Sequence, residues 1–211
     1  MSNKIESFFK PYVGVKKLFS RYWLAYGGWR ALIRSPYLHF SFIFSIFSYG
    51  LWKDISWVEI PISILPSIIG FSLGGYAIWL ALGDEKFRLI ISSASDQSKL
   101  SPFIQINSAF IHFIVLQFFS LAFALMVKAD FLAAFPLEFK QKIASFLPHV
   151  YVAYKFMAKA VHFFGYFVFV YALFSALAAT MALFRIAHWL EQHNVKLKAS
   201  KKNDGDSQKT D

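Results

Sequence analysis

Long uninterrupted apolar runs constrain this chain more than any other feature of its sequence. The hydrocarbon core of a bilayer is about 30 Å thick, and a helix needs about 20 mainly apolar residues to cross it. Four runs approach or exceed that length, at residues 37–52, 55–83, 103–127 and 161–186. The first is short for a span unless the residues from Trp29 onward join it. The sequence therefore predicts an all-α membrane protein with a four-helix transmembrane domain over residues 37–186.

The basic residues indicate which way the spans run. Four spans place 16 of the 22 lysines and arginines on one side of the membrane and six on the other. Cytoplasmic loops of membrane proteins carry an excess of lysine and arginine, so both termini are predicted to be cytoplasmic. Three or five spans would put the two basic ends on opposite sides.

Three segments lie outside the predicted spans. Residues 1–36 are basic, and the apolar side chains within residues 8–34 fall at helical spacing, which predicts an amphipathic interfacial helix at the inner membrane face. Those apolar residues are Val15, Leu18, Phe19, Tyr22 and Tyr26. Residues 130–159 predict an outer helical segment with a break at Pro148. Residues 187–211 form a basic cytoplasmic tail, and its polar end is predicted to be disordered.

The cytoplasmic segments together predict an electropositive surface on a chain of net charge +10. Lipid head groups of the inner leaflet are one anionic partner for such a surface. Phosphate-bearing ligands such as nucleotides or nucleic acid are alternatives, although the chain has no nucleic-acid-binding motif. The residues assigned to this anionic-ligand or partner surface are Lys16, Lys17, Arg21, Arg30, Arg34, Lys86, Arg88 and Lys99.

The stretch GFSLGG at residues 70–75 matches the G-x-S-x-G nucleophile elbow of α/β-hydrolases. Such an elbow needs several strands before it, and an acid and a histidine after it, in that order. The preceding 69 residues instead show a basic amphipathic segment and an apolar span. We therefore expect Ser72 to lie within a membrane helix rather than to act as a nucleophile.

Small residues recur along one face of the second span. Their spacings alternate between four and three, and Gly70 and Gly74 form a G-x-x-x-G motif. Small residues let helix backbones approach closely in lipid, where no hydrophobic force drives the helices together. The pattern predicts a helix-packing or pore-lining face made of Ser63, Ser67, Gly70, Gly74, Ala77 and Ala81.

The third span carries a second predicted stripe, which is polar. Polar side chains at membrane depth usually face the interior of a helix bundle or a wet cavity. One interpretation is hydrogen bonding between helices, and the other is the wall of an ion or water pathway. His112 could relay protons or simply be a satisfied core group. The residues of the stripe are Ser101, Gln105, Ser108 and His112, with Asn107 and Gln117 nearby.

The sequence offers few residues suited to metal binding, catalysis or proton transport. The chain has no cysteine, and its histidines show no metal-ligand spacing with carboxylates. No ionised residue lies firmly within a span, which argues against a proton-driven transporter. We therefore predict no cofactor, no metal site and no enzymatic activity.

The second span, LPSIIGFSLGGYAIWLALGDEKF, together with the size and the span number, resembles small four-span membrane subunits of bacterial antiphage defence operons such as Kiwa and Hailong. The resemblance covers the membrane region and carries no diagnostic motif. It implies a homo-oligomer, plausibly a tetramer, in the bacterial inner membrane. It also implies a cytosolic operon partner that senses infection or makes a nucleotide signal.

These expectations lead to two main hypotheses. The first is a homo-oligomeric inner-membrane channel, an antiviral effector gated from its cytoplasmic face, with the second and third spans around the pathway. The second is a non-conducting sensor or anchor that recruits a cytosolic partner, which could itself bind nucleic acid. A membrane-embedded enzyme built on Ser72 is a third and would require serine-directed labelling that Ser72→Ala abolishes.

Overall fold

The computed structural model describes residues 2–81, 100–129 and 148–207, and these residues contain helices and no strand. This confirms the all-α class. In chain order, the helices are α1 (Ser2–Tyr26), α2 (Gly28–Ile33), α3 (Pro36–Phe47), α4 (Tyr49–Trp52), a 3₁₀ helix (Ile55–Val58), α5 (Glu59–Ala81), α6 (Pro102–Lys128) and α7 (Pro148–Ser207).

Three helical stretches are long and apolar enough to cross a membrane. They are Ile55–Ala81, Pro102–Lys128 and Lys155–Arg185, and they coincide with the second, third and fourth predicted spans. By length and composition, the fold is therefore consistent with a membrane protein. Continuous helices suit these segments because a helix satisfies all of its own backbone hydrogen bonds inside lipid.

The first predicted span is shorter in the structure than in the sequence pattern. α3 has 12 residues, which corresponds to about 18 Å at 1.5 Å per residue, less than the thickness of the bilayer core. Pro36 fixes its start because Ser35 before it is extended. At the other end the helix stops at Ser48, and the chain turns into the four-residue α4. By length, α3 is not a fourth complete span.

The last helix is longer than predicted. α7 begins at Pro148, where the sequence predicts a break, and runs through the fourth span to Ser207. The prediction of a disordered tail is therefore wrong for the residues up to Ser207. Extending an existing helix avoids the cost of nucleation, and residues 187–204 contain neither proline nor glycine. The rest of the predicted outer segment, residues 130–147, lies outside the described residues.

α6 lies at the centre of the bundle and packs against α5, α7 and the end of α1, while α3 packs against α7. A hydrophobic core joins the start of α5 to α6 and α7 around the buried ring of Trp57. Gly165 makes room for this ring, because a Cβ there would lie 2.5 Å from Trp57 Cη2 and 2.6 Å from Phe123 Cε1. Glycine is therefore a packing requirement at this position of α7.

Candidate functional site: two polar clusters around α6

The first polar cluster surrounds His112 and consists of His112, Tyr22, Tyr26 and Tyr171; we call it the tyrosine–histidine cluster. His112 is buried, and both of its ring nitrogens have hydrogen-bond partners. The Tyr22 hydroxyl lies 2.6 Å from Nδ1, and the Tyr171 hydroxyl lies 3.0 Å from Nε2. The ring of Tyr26 stacks on the imidazole with 3.9 Å between centroids. His112 thus joins three helices, α1, α6 and α7.

The last turn of α1 brings Tyr22 and Tyr26 to this cluster. The two residues are four apart and share a helix face. Ser108 Oγ lies 3.3 Å from the Ala25 carbonyl of the same turn and 2.8 Å from the Gln105 carbonyl of its own helix, and these two acceptors share its one proton. Burial raises the pKa of both Tyr22 and Tyr26 above the ordinary value, so their hydroxyls stay protonated near neutral pH and can donate.

Two glycines end α1 immediately after the cluster. Gly27 has φ +103° and Gly28 has φ +62°, both in the left-handed region that side chains disfavour. A Cβ on Gly27 would lie 2.8 Å from Ala31 Cβ. The chain can therefore turn sharply between α1 and α2, which holds the end of α1 against α6.

The second polar cluster lies on a different side of α6 and consists of Ser72, Gln117 and Ser120; we call it the amide cluster. Gln117 follows His112 by five residues, which rotates it by about 140° around the helix. Its Nε2 donates to Ser72 Oγ over 3.1 Å, and Ser72 Oγ donates to the Ile68 carbonyl over 2.6 Å. This chain of hydrogen bonds connects α6 to α5.

Two oxygen atoms of the amide cluster lack a partner. Gln117 and Ser120 are 0% and 1% exposed. Within the described part of the chain, neither Gln117 Oε1 nor Ser120 Oγ has a hydrogen-bond partner. A buried polar atom without a partner is costly, so such atoms usually bind something.

The predicted polar stripe of the third span divides between the inside and the outside of the protomer. Ser101, Ser108 and His112 are buried, and the Ser101 hydroxyl accepts a hydrogen bond from the Ile104 N–H at the start of α6. Gln105 is exposed and donates to the Leu100 carbonyl over 2.8 Å. Asn107 accepts a hydrogen bond from Trp79 Nε1.

The predicted small-residue face of the second span is exposed along its whole length. The face comprises Ser63, Ser67, Gly70, Gly74, Ala77 and Ala81. The residues by which α5 packs into the protomer, Leu65 and Ser72 among them, lie about half a turn away. A Cβ on Gly70 or Gly74 would meet no atom within 4 Å. The small face and the polar stripe therefore do not border a common space within one protomer.

Ser72 does not have the geometry of a nucleophile elbow. That motif places the serine at a sharp turn between a strand and a helix. Here Ser72 lies in the middle of α5, and its hydroxyl is bonded to a carbonyl of the preceding turn. Its role in the structure is to accept the hydrogen bond of Gln117.

The predicted cytoplasmic basic surface is described in part. Its members on α1 and α2, and Arg34 directly after them, are exposed: Lys16, Lys17, Arg21, Arg30 and Arg34. The three residues between α5 and α6 in the sequence, Lys86, Arg88 and Lys99, lie outside the described residues. On α1, the basic residues Lys10, Lys17 and Arg21 point away from the face that carries Tyr22 and Tyr26.

Four contributors to the clusters were absent from the sequence-based sites. Tyr171 and Ser120 were assigned no role, and Tyr22 and Tyr26 were placed only on an amphipathic face. Their four-residue spacing was the available signal, but it does not identify a partner 90 residues away. Within the described residues, no group of three or more side chains could hold a metal ion.

No protein-family model, no curated protein and no solved structure matches this chain. The two clusters and the exposed face of α5 are therefore the features of this chain that bear on its function.

Proposed function

We propose that this protein is a homo-oligomeric, channel-like membrane effector in which the small-residue face of α5 borders a central pathway between subunits. The observation that carries the proposal is the exposure of that face, directly opposite the side by which α5 enters its own protomer. Small residues at the surface of a spanning helix favour helix–helix contact over contact with lipid tails. Serines and exposed backbone along a pathway can also hold water.

Control of this pathway comes from the cytoplasmic side through α1. Tyr22 contacts His112 on one side of α6, and Gln117 of α6 contacts Ser72 of α5 on another. A continuous set of hydrogen bonds and packed helices thus leads from the basic helix to α5. Such a connection can transmit a change in α1 if its docked and released states are distinct arrangements. The docked arrangement is the closed one in this proposal.

The proposed membrane, orientation and partner are based on the charge distribution and on the resemblance to defence subunits. The excess of basic residues supports cytoplasmic termini, with α1 at the inner membrane face; this arrangement requires α3 and α4 together to complete the first crossing. The resemblance to defence subunits supports a bacterial inner membrane, a tetramer and a cytosolic partner that supplies the trigger. Inner-leaflet lipid, a nucleotide or a nucleic acid would bind the basic surface.

A second candidate function is a sensor or anchor that recruits a partner without conducting. The observation in its favour is the tight closure of the protomer interior around His112, where aromatic rings stack directly on the imidazole. In this case the exposed basic residues of α1 and α2 would form the recruiting surface.

Ion flux through purified protein in liposomes distinguishes the two candidates. We would compare wild type with Gly74→Leu, which fills the small face, and with Gly75→Leu, which adds the same side chain beside that face. A channel that is closed at rest predicts flux, once the lysate is added, in wild type and in Gly75→Leu, and its loss in Gly74→Leu. An intact oligomer without flux, in the presence and absence of lysate from phage-infected cells, would refute the channel and leave the sensor or anchor.

A further inference from the structure

The amide cluster contains two buried oxygen atoms that α5, α6 and α7 leave without hydrogen bonds. Gln117 Oε1 and Ser120 Oγ both have no partner among the described residues. The two residues are three apart on α6, so their side chains are neighbours on the helix surface. Both side chains are at least 99% buried in the bundle.

The hydrogen bond of Gln117 Nε2 fixes the orientation of the Gln117 amide. Nε2 donates to Ser72 Oγ, and Ser72 uses its own proton to bond the Ile68 carbonyl. Exchanging the amide oxygen and nitrogen would place an acceptor against an oxygen whose proton is already engaged. Oε1 therefore remains on the side away from Ser72, as a strong acceptor without a donor.

Ser120 offers a complementary group beside this acceptor. Its hydroxyl can donate one hydrogen bond and can also accept. It does not donate to the carbonyl of the preceding turn, although Ser41, Ser45 and Ser72 all bond to a carbonyl four residues back. The Ser120 hydroxyl therefore remains available at a position one turn along α6 from Gln117.

We propose that Gln117 Oε1 and Ser120 Oγ together bind one water molecule. The water would donate to Oε1 and accept from the Ser120 hydroxyl, which satisfies both atoms. Two neutral oxygens without a counter-charge are too few ligands for a buried cation, so a cation at this site would contradict the proposal. The site belongs to the interior of one protomer and exists whether or not the assembled protein conducts ions.

A double-mutant cycle tests for the bound water, because the water is the link between two groups that do not bond each other directly. The thermal unfolding midpoint of the full-length protein in detergent micelles would be followed by tryptophan fluorescence. The variants are Gln117→Met, Ser120→Ala and the double variant. Ser20→Ala and Ser56→Ala make the same serine change at exposed positions outside both clusters and the small face of α5, and serve as controls.

A bound water predicts that each single substitution lowers the unfolding midpoint. It also predicts that the decrease in the double variant is clearly smaller than the sum of the decreases in the two single variants. The controls should leave the midpoint unchanged. If Ser120→Ala raises the midpoint or leaves it unchanged, or if the two shifts add, the bound water is refuted. If the site is empty and dry, Ser120→Ala should raise the midpoint, because removing an unsatisfied hydroxyl stabilises the core.

Replacing sodium and potassium by choline at constant ionic strength distinguishes water from a cation. A midpoint that is higher in sodium or potassium for wild type, and independent of the salt in Gln117→Met, identifies a cation and would contradict the proposal. The same midpoint in all three salts, together with the coupling, identifies water.

Discussion

At the residue scale, the sequence predicts the burial of His112 but not the residues that it contacts. Its position in an apolar run with Ser108 on the same face predicts a buried polar group, and the structure has one. Its partners could not be predicted, because Tyr22 and Tyr171 are 90 and 59 residues away in the chain. Periodicity identifies the inward face of a helix but does not say which helix it meets.

The glycine beneath Trp57 supports a prediction at this scale. Gly165→Ala should destabilise the protein by about 1–3 kcal/mol, since the added methyl group overlaps two aromatic rings in a packed core. Gly75→Ala is the matched control in α5, where a Cβ meets no atom within 4 Å. Unfolding midpoints of the two variants measure the difference. Equal midpoints would show that the rings do not pack on Gly165 as described.

The hydrogen bond from α1 to His112 supports a second prediction. Tyr22→Phe keeps the ring but removes the hydroxyl, and should weaken docking of α1 by about 1 kcal/mol. Hydrogen exchange of the amides of α1 should become faster. Tyr49→Phe, at an exposed tyrosine of α4, should leave that exchange unchanged. Unchanged exchange in Tyr22→Phe would mean that the hydroxyl does not hold α1 in place.

At the element scale, the apolar runs predict three helices well and the first span poorly. The three long spans follow from length and hydrophobicity alone. The first run was predicted as one span, but it is interrupted at Ser48 between α3 and α4, where a local contact that hydropathy does not record takes up a helix-end carbonyl: the Trp52 indole N–H donates to the Ser45 carbonyl over 2.6 Å. The helical tail was missed because its polar composition resembles that of unfolded chains.

The turn between α1 and α2 supports a prediction at the element scale. Gly27→Ala should cost about 1–2 kcal/mol, because Gly27 has left-handed φ and a methyl group there would meet Ala31. Gly14→Ala, in the exposed part of α1, should instead favour the helix by up to about 1 kcal/mol. Hydrogen exchange in α1 should therefore be faster in Gly27→Ala and slower in Gly14→Ala. The opposite order would contradict the described turn.

At the scale of the whole molecule, the small face of α5 and the basic face of α1 are two surfaces that the described part of a single protomer leaves exposed. The sequence assigned packing and partner roles to them, and those roles stay predictions. It could not show that the small face points away from the polar stripe of α6, because relative orientation depends on which side of each helix packs. That orientation moves the proposed pathway from the protomer interior to the interface between subunits.

Self-association through α5 is the prediction at this scale. Wild-type protein should have a mass in native mass spectrometry that is a multiple of the 24.2 kDa chain. Gly70→Leu should shift the population toward monomer, since a large side chain keeps the backbones apart. Gly75→Leu, beside the face, should keep the oligomer. A monomeric wild type, or an oligomer unaffected by Gly70→Leu, would exclude this face as the interface.

The central claim is that docking of α1 at the tyrosine–histidine cluster closes a pathway through the assembled protein. The most direct measurement is conductance across planar bilayers that contain equal amounts of wild type, Tyr22→Phe or Tyr49→Phe. The account predicts that Tyr22→Phe raises the conductance without any added trigger, whereas Tyr49→Phe behaves as wild type. A conductance in Tyr22→Phe that equals wild type, with α1 shown by hydrogen exchange to be released, would contradict it.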